Sequence, residues 1–205
     1  MGNARRHFIN VIFCNLYLVM EKIILASKSP RRSQLLQWAE IPFEIIVEDT
    51  SEDFPFDMSI EQVPVHIARN KALAISSKVD AEKIILAADT VVVLGDNVIG
   101  KPVHREDAVS MLMALSGSLH KVITGVVIKK GEQEIAFADI TEVEFHSLSI
   151  EQIEFYVDKY KPYDKAGAYA IQEWIGVVGI KSVKGDFYNV MGLPVSRVIQ
   201  ALKSI

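Results

Sequence analysis

Asp89 interrupts one of the most apolar stretches of this chain. Ile84-Ile85-Leu86-Ala87-Ala88 precedes it and Thr90-Val91-Val92-Val93 follows. A carboxylate in such a run is expensive to bury unless it is paired, protonated or on a metal. Asp89 is therefore either a functional carboxylate or half of a structural salt bridge. At the end of a strand in an open α/β sheet it would face the crevice where ligands bind. A second candidate is Ser27-Lys28-Ser29-Pro30-Arg31-Arg32. Ser29 suits a helix cap and Pro30 the first helical position. Arg31 and Arg32 then oppose the helix dipole, at roughly 0.3–1 kcal/mol per charge. An anion among them would reverse that cost, since a phosphate would meet free N–H groups, hydroxyls and guanidinium forks. A solvated helix start with a chance arginine pair is the alternative.

Other residues gain meaning only beside these. Lys71, in Ala68-Arg69-Asn70-Lys71-Ala72, shares a helix side with Ile67, Ala68, Ala74 and Ile75. It reads as a snorkelling lysine or as a phosphate contact. Glu52 belongs to the acidic loop Glu48–Asp53, which is ordinary solvated surface unless Asp89 needs a second carboxylate for a metal ion. Gly95-Asp96-Asn97-Val98-Ile99-Gly100-Lys101 fits the spacing of a phosphate loop, but Pro102 stands where Ser or Thr is required. Lys101 could still reach a phosphate as a point charge. Gln172 closes the small-residue loop Asp164–Ile171. Its amide both donates and accepts, so it could read a base edge or simply be surface.

These groups must be held by alternating strands and helices. Lys22–Ala26 reads as a buried strand, Pro30–Trp38 as a helix and Phe43–Val47 as a strand. Ser59-Ile60-Glu61-Gln62 fits a capping box. Pro64 threatens that first turn, so the helix is expected to settle from about Val65 and to run to about Lys78. Lys83–Val93 is a strand interrupted at Asp89-Thr90, Leu94–Asn97 a turn, Val98–Ile99 a short strand and Arg105–Leu115 a helix. His120–Lys129 and Glu134–Phe145 form a hairpin, with His120 and Thr124 as structural polar points. Ser149-Ile150-Glu151-Gln152 is a second capping box opening a helix to about Tyr160. Tyr169–Ile171 and Val177–Ile180 are short apolar runs, and Pro194–Leu202 is the closing helix. The pattern predicts an α/β fold with a mixed sheet flanked by helices.

With 205 residues, half of them hydrophobic, the chain suits one domain with an ample core. A net charge of −4 argues against a nucleic-acid partner. Cys14 is the one cysteine, which fits a reducing compartment. Residues 1–20 hold Arg5, Arg6 and an apolar run, yet no small-residue cleavage site follows, and the run is too short and polar to span a membrane. Met20 would be a natural start. Residues 1–20 are read as a poorly ordered extension and 21–205 as a single domain.

Taken together the segments resemble the Maf family of nucleoside triphosphate pyrophosphatases from about Lys22 to Leu202. The resemblance rests on an ordered set: Ala26–Arg32, Ala68–Ala72, Ala88-Asp89-Thr90-Val91-Val92, Gly100-Lys101-Pro102, Leu115-Ser116-Gly117 with His120, Thr141-Glu142-Val143, Asp164–Gln172 and Asn189–Pro194. It implies a fold like that of inosine triphosphate pyrophosphatases, with two lobes around a central cleft. It also implies hydrolysis of a nucleoside triphosphate to monophosphate and pyrophosphate with a divalent cation, Mg²⁺ or Mn²⁺. Asp89 matches the family's proton acceptor. Phosphate and metal roles fall on Ser29, Arg32, Lys71, Lys101 and Glu52, with Asp89 either base or metal ligand. Arg31, Thr90 and Gln172 match the specificity positions of the subgroup acting on dTTP and UTP, rather than those preferring 7-methyl-GTP. The chain departs from the pattern at Glu173, where glycine is usual, and in the extra N-terminal segment. A cytoplasmic enzyme of nucleotide-pool housecleaning, with no nucleic-acid or membrane partner, is the expectation, and a homodimer is left open. A nucleotide-binding regulator of cell division with little turnover would use the same pocket.

Overall fold

The computed structural model describes residues 21–205, so the reading of residues 1–20 lies outside it. One mixed sheet holds β1 (Ile23–Leu25), β2 (Phe43–Ile45), β3 (Ile85–Leu94), β4 (Asn97–Ile99), β5 (Leu119–Lys130), β6 (Gln133–Phe145) and β7 (Ile180–Lys184). Their order is β2-β1-β3-β5-β6-β7, with β4 paired to β3. The β1 pairings are parallel and the others antiparallel. Among the described residues seven α-helices flank it: α1 (Pro30–Trp38), α2 (Val63–Ser76), α3 (Arg105–Leu115), α4 (Ile150–Tyr160), α5 (Trp174–Gly179), α6 (Phe187–Met191) and α7 (Val195–Leu202). The expected α/β class and most boundaries hold.

Asp89 is not at a strand end. β3 continues through it, with Asp89 opposite Gly125 of β5. What exposes it is the other edge of β3. There β1 pairs only with Ile85 and Leu86, and β4 only with Val92 to Leu94. Between them the edge of Ala87–Val91 has no strand partner among the described residues, because the chain leaves β1 after Ala26 and turns into α1. The sheet thus opens in its interior, and the carboxylate faces a cleft from the middle of a strand.

Strand periodicity then divides the neighbours. Ile85, Ala87, Val91 and Val93 point to one face, where α2 packs through Val63, Val65, Ile67, Ala68, Ala72 and Ile75. Leu86, Ala88 and Val92 point to the other, against Leu35, Leu36, Leu112, Leu115, Ile153 and Tyr156. Asp89 belongs to the α2 face and Thr90 to the opposite one. Gly125 lets α2 come close: a Cβ there would lie 2.2 Å from the backbone of Pro64 and Val65.

The same tetrad, Ser-Ile-Glu-Gln, behaves differently at its two positions. At the start of α4 the box forms, with the Gln152 N–H donating to Ser149 Oγ at 3.3 Å and the Ser149 N–H to Gln152 Oε1 at 2.9 Å. At Ser59 it does not. A helix capped there would place Pro64 in its interior, where the ring clashes with the carbonyl four residues back. Instead the Gln62 N–H closes a turn on the Ser59 carbonyl at 2.9 Å, and α2 starts at Val63, where proline is tolerated. This is earlier than the expected Val65, and the helix ends at Ser76. Ser29, too, makes no side-chain cap to α1; its own N–H donates to Ser27 Oγ at 3.2 Å. The second strand stops at Ile45, and the late apolar runs resolve into coil, α5 and β7. Among the described residues no helix is long and apolar enough to cross a membrane.

Candidate active site

The open edge of β3 is the floor of a cavity of about 360 Å³, within the range that holds small ligands. Ser29, Arg31 and Arg32 reach it from the start of α1, Glu52 from the acidic loop, Lys71 from α2, and Asp89 and Thr90 from β3. Lys101 and Gln172 reach it from loops. Every sequence-derived candidate therefore lines one cavity. Ser27, whose hydroxyl belonged to the proposed phosphate-binding stretch, lines it too, as do Asp164, Lys165, Tyr169 and Gly192, to which sequence reasoning gave no role. The signal for Lys165 was present, since a lysine in a run of small residues has little else to do.

On the α2 side, Lys71 Nζ donates to Asp89 Oδ1 at 2.7 Å and to Glu52 Oε1 at 3.1 Å. Lys101 Nζ lies 3.7 Å from Glu52 Oε2. Asp89 is 8% exposed, so its charge is compensated inside the protein. Burial raises the Glu52 carboxyl, but the two ammonium groups outweigh burial and hold it below its ordinary range. Two carboxylates thus converge on one cation position. The donors are all hard oxygens, as Mg²⁺ prefers, and two carboxylates suffice where substrate phosphates and water complete its shell. Among the described residues no group of three or more His, Cys, Asp or Glu assembles.

On the opposite side of β3, Arg32 is 8% exposed and its guanidinium is shared among three protein oxygens. Nε donates to the Gly192 carbonyl at 2.8 Å, Nη1 to Ser27 Oγ at 3.0 Å and Nη2 to Thr90 Oγ1 at 3.0 Å. Burial lowers its proton affinity and the nearby Asp89 partly restores it. Thr124 Oγ1 donates its proton to the Asn189 carbonyl at 3.1 Å, so the 3.0 Å contact between Thr90 and Thr124 is donated by Thr90. The Thr90 hydroxyl has then used its proton and one lone pair within the protein.

The third wall carries a line of alternating charge. Arg31 Nη1 donates to Asp164 Oδ2 at 2.8 Å, and Lys165 Nζ donates to Asp164 Oδ1 at 2.8 Å. Lys165 Nζ also lies 3.6 Å from Glu173 Oε1. Gln172 is exposed beside this line. Behind the wall, Tyr169 Oη and His120 Nε2 are 2.8 Å apart, and burial pushes the imidazole pKa down to about 4. His120 and Thr124 are structural, as expected.

The cavity gathers lysines and arginines, a buried carboxylate and an exposed amide. The family model described as Maf-like protein matches residues 22–205. A dTTP/UTP pyrophosphatase of Parabacteroides distasonis is 47% identical over 183 residues, covering 89% of this chain and 95% of the relative. One of Cytophaga hutchinsonii is 49% identical, covering 89% of this chain and 84% of the relative. Another, of Porphyromonas gingivalis, is 46% identical, covering 89% and 93%. A solved nucleoside-triphosphatase / dITP/XTP pyrophosphatase of Mycobacterium abscessus shares 13% identity over 61% of this chain and 73% of its own, at a TM-score of 0.37, too slight a likeness to build on. The matches along the sequence are sufficient in themselves: from Lys22 to its last residue, this chain belongs to the Maf family.

Proposed function

We propose that this protein hydrolyses dTTP and UTP to the monophosphate and pyrophosphate. The observation that carries it is the convergence on one cavity of Asp89, Lys71, Glu52, Lys101, Arg31, Arg32 and Gln172, in a chain whose relatives are dTTP/UTP pyrophosphatases. Water attacks the α-phosphorus and pyrophosphate leaves. Asp89, held at the cavity floor, orients the water and takes its proton. Negative charge grows on the phosphate oxygens, and Lys71, Lys101 and the free N–H groups of Arg32 stabilise it. Ser29 adds a hydroxyl at the start of α1. Glu52 would hold a divalent cation, Mg²⁺ or Mn²⁺, joined by Asp89 where that carboxylate acts as metal ligand instead of base, and the cation would supply charge neutralisation at the phosphates. Gln172 pairs with the uracil or thymine edge, which offers an acceptor at O4 and a donor at N3. Arg31 and Thr90 belong with Gln172 to the identity-reading group. A single cysteine fits the reducing cytoplasm as the source of substrate.

The test is a panel of nucleotides with Mg²⁺, the products separated by chromatography. dTTP and UTP are expected to yield dTMP and UMP with one pyrophosphate each. Consumption of 7-methyl-GTP with survival of dTTP and UTP would overturn the specificity, and release of inorganic phosphate with a diphosphate would overturn the bond assignment. Asp89→Asn is expected to lose roughly 10²–10⁴-fold in kcat, the usual worth of a positioned general base. Full turnover in that variant would remove Asp89 from the chemistry. Tight nucleotide binding without product would instead favour a regulator.

A further inference from the structure

Gln172 is exposed, but the backbone beside it is pinned, and Glu173 is what pins it. Glu173 occupies the N-cap position of α5 in an extended conformation, yet its carboxylate makes no cap bond to that helix. It turns back into the protein instead. Its Oε2 accepts a hydrogen bond from the hydroxyl of Tyr156, a fully buried residue of α4. The same hydroxyl accepts from the Ala170 N–H at 3.2 Å. The Glu173 N–H closes the turn on the Ala170 carbonyl at 3.0 Å. Both ends of the Ala170–Glu173 turn are therefore fastened to one buried phenol, and Gln172 is its exposed tip, lining the cavity. The other carboxylate oxygen faces Lys165 Nζ at 3.6 Å. Lys165 holds Asp164, and Asp164 holds Arg31, each at 2.8 Å. An unbroken chain of polar contacts runs from Tyr156 through Glu173 to Arg31.

We propose that Glu173 is a positioning residue for base recognition: its carboxylate sets the direction of the Gln172 amide and, through Lys165 and Asp164, that of the Arg31 guanidinium. The inference rests on the reading of Gln172 and Arg31 as the groups that recognise the base. It places Glu173 outside the phosphate machinery, since Lys71, Lys101 and Arg32 make none of these contacts. A group of this kind acts on discrimination between bases and leaves the triphosphate subsite as it was.

The experiment measures kcat and KM for dTTP and for dCTP, whose ring edge carries the opposite donor and acceptor order, with inhibition by inorganic tripolyphosphate as the phosphate-only probe. Glu173→Ala is expected to lower the dTTP/dCTP ratio of kcat/KM about tenfold, the worth of one well-placed hydrogen bond. The loss should appear in KM for dTTP, with tripolyphosphate inhibition unchanged. Glu173→Gln, which still accepts from Tyr156, recovers most of the loss, and Tyr156→Phe reproduces part of it. If Glu173→Ala keeps the ratio while Gln172→Ala loses it, the inference is overturned and the base reading stands. If Gln172→Ala keeps the ratio, the base reading falls and the inference with it. A parallel loss of kcat and tripolyphosphate affinity in Glu173→Ala would mark general damage and overturn the positioning role. Should Glu173→Ala not fold, Tyr156→Phe decides: a lowered ratio supports the role and an unchanged ratio overturns it.

Discussion

Replacing Arg32 by lysine keeps the charge at the start of α1 and removes the fork. If Arg32 served phosphate alone, the protein without nucleotide would hardly notice. The structure says otherwise. Three of its five donors are spent on the Gly192 carbonyl, Ser27 Oγ and Thr90 Oγ1, at 2.8, 3.0 and 3.0 Å. Hydrogen bonds from a charged donor are worth roughly 1.5–3 kcal/mol each, so the set represents about 4.5–9 kcal/mol. A lysine ammonium, one point at the end of a shorter stem, recovers one or two of them and leaves the Gly192 carbonyl unpaired. The net loss is expected to be about 3 kcal/mol. For a domain of this size each kcal/mol moves Tm by roughly 2–4 °C, so Tm should fall by about 6–12 °C. Urea unfolding followed by the fluorescence of Trp38 and Trp174, with no nucleotide present, measures it. A stability within about 1 kcal/mol of the unmodified protein would refute the claim that Arg32 ties α1, β3 and the Gly192 turn together.

Three further outcomes follow from other contacts. Lys71→Met should raise Mn²⁺ affinity without nucleotide roughly tenfold, because the ammonium no longer competes for Asp89 and Glu52; an unchanged free-Mn²⁺ signal in electron paramagnetic resonance titration would oppose it. Gly125→Ala should cost about 2–3 kcal/mol by overpacking, read as a lower urea midpoint, since the new methyl meets α2 backbone. His120 is held neutral by burial, its pKa pushed from 6.5 down to about 4. Above pH 6.5 it is neutral folded and unfolded alike; as pH falls from 6.5 to 4 only the unfolded chain takes the proton, so stability drops by about 3 kcal/mol and then levels. His120→Phe should remove that slope, and parallel pH profiles for the two proteins would count against it.

The fold was legible where local rules act alone. Helix α1 and helix α3 span the residues that the sequence pattern marks out, although Ser29 makes no cap, and the β5–β6 hairpin follows its Lys130-Gly131 turn. The errors share a cause, which is competition that a local window does not contain. Pro64 defeats a capping box that its identical twin at Ser149 completes. Asp89 looked like a strand end because an ionised residue rarely sits within an apolar strand, but β1 departs early, β4 arrives late and α2 supplies Lys71. Glu173 looked like a mild departure beside Gln172, and its partner Tyr156 lies on a different helix. The chemistry was legible in residue types, whereas the pairings that hold each charge in place cross from one element to another.

Those pairings also resolve the oddity of two arginines at a helix start. Lys71 leans on Asp89 and Glu52, Lys101 faces Glu52, and Arg31 and Lys165 share Asp164. Each of these cations has a carboxylate within ion-pair reach. Arg32 does not: its three acceptors are a carbonyl and two hydroxyls, and it is buried in the half of the cleft where the α1 dipole adds further positive potential. Asp89 offsets only part of the burial cost of the guanidinium. On the proposed function, a phosphate is the group that completes it, through the two N–H donors the protein leaves over and the amide groups that open α1. The cost of holding Arg32 there is then met when substrate binds, while Lys71 and Lys101 can join the phosphates only by giving up carboxylates that a divalent cation is better suited to hold. On the same proposal, a divalent cation would take over the carboxylates that Lys71 and Lys101 release when they join the phosphates.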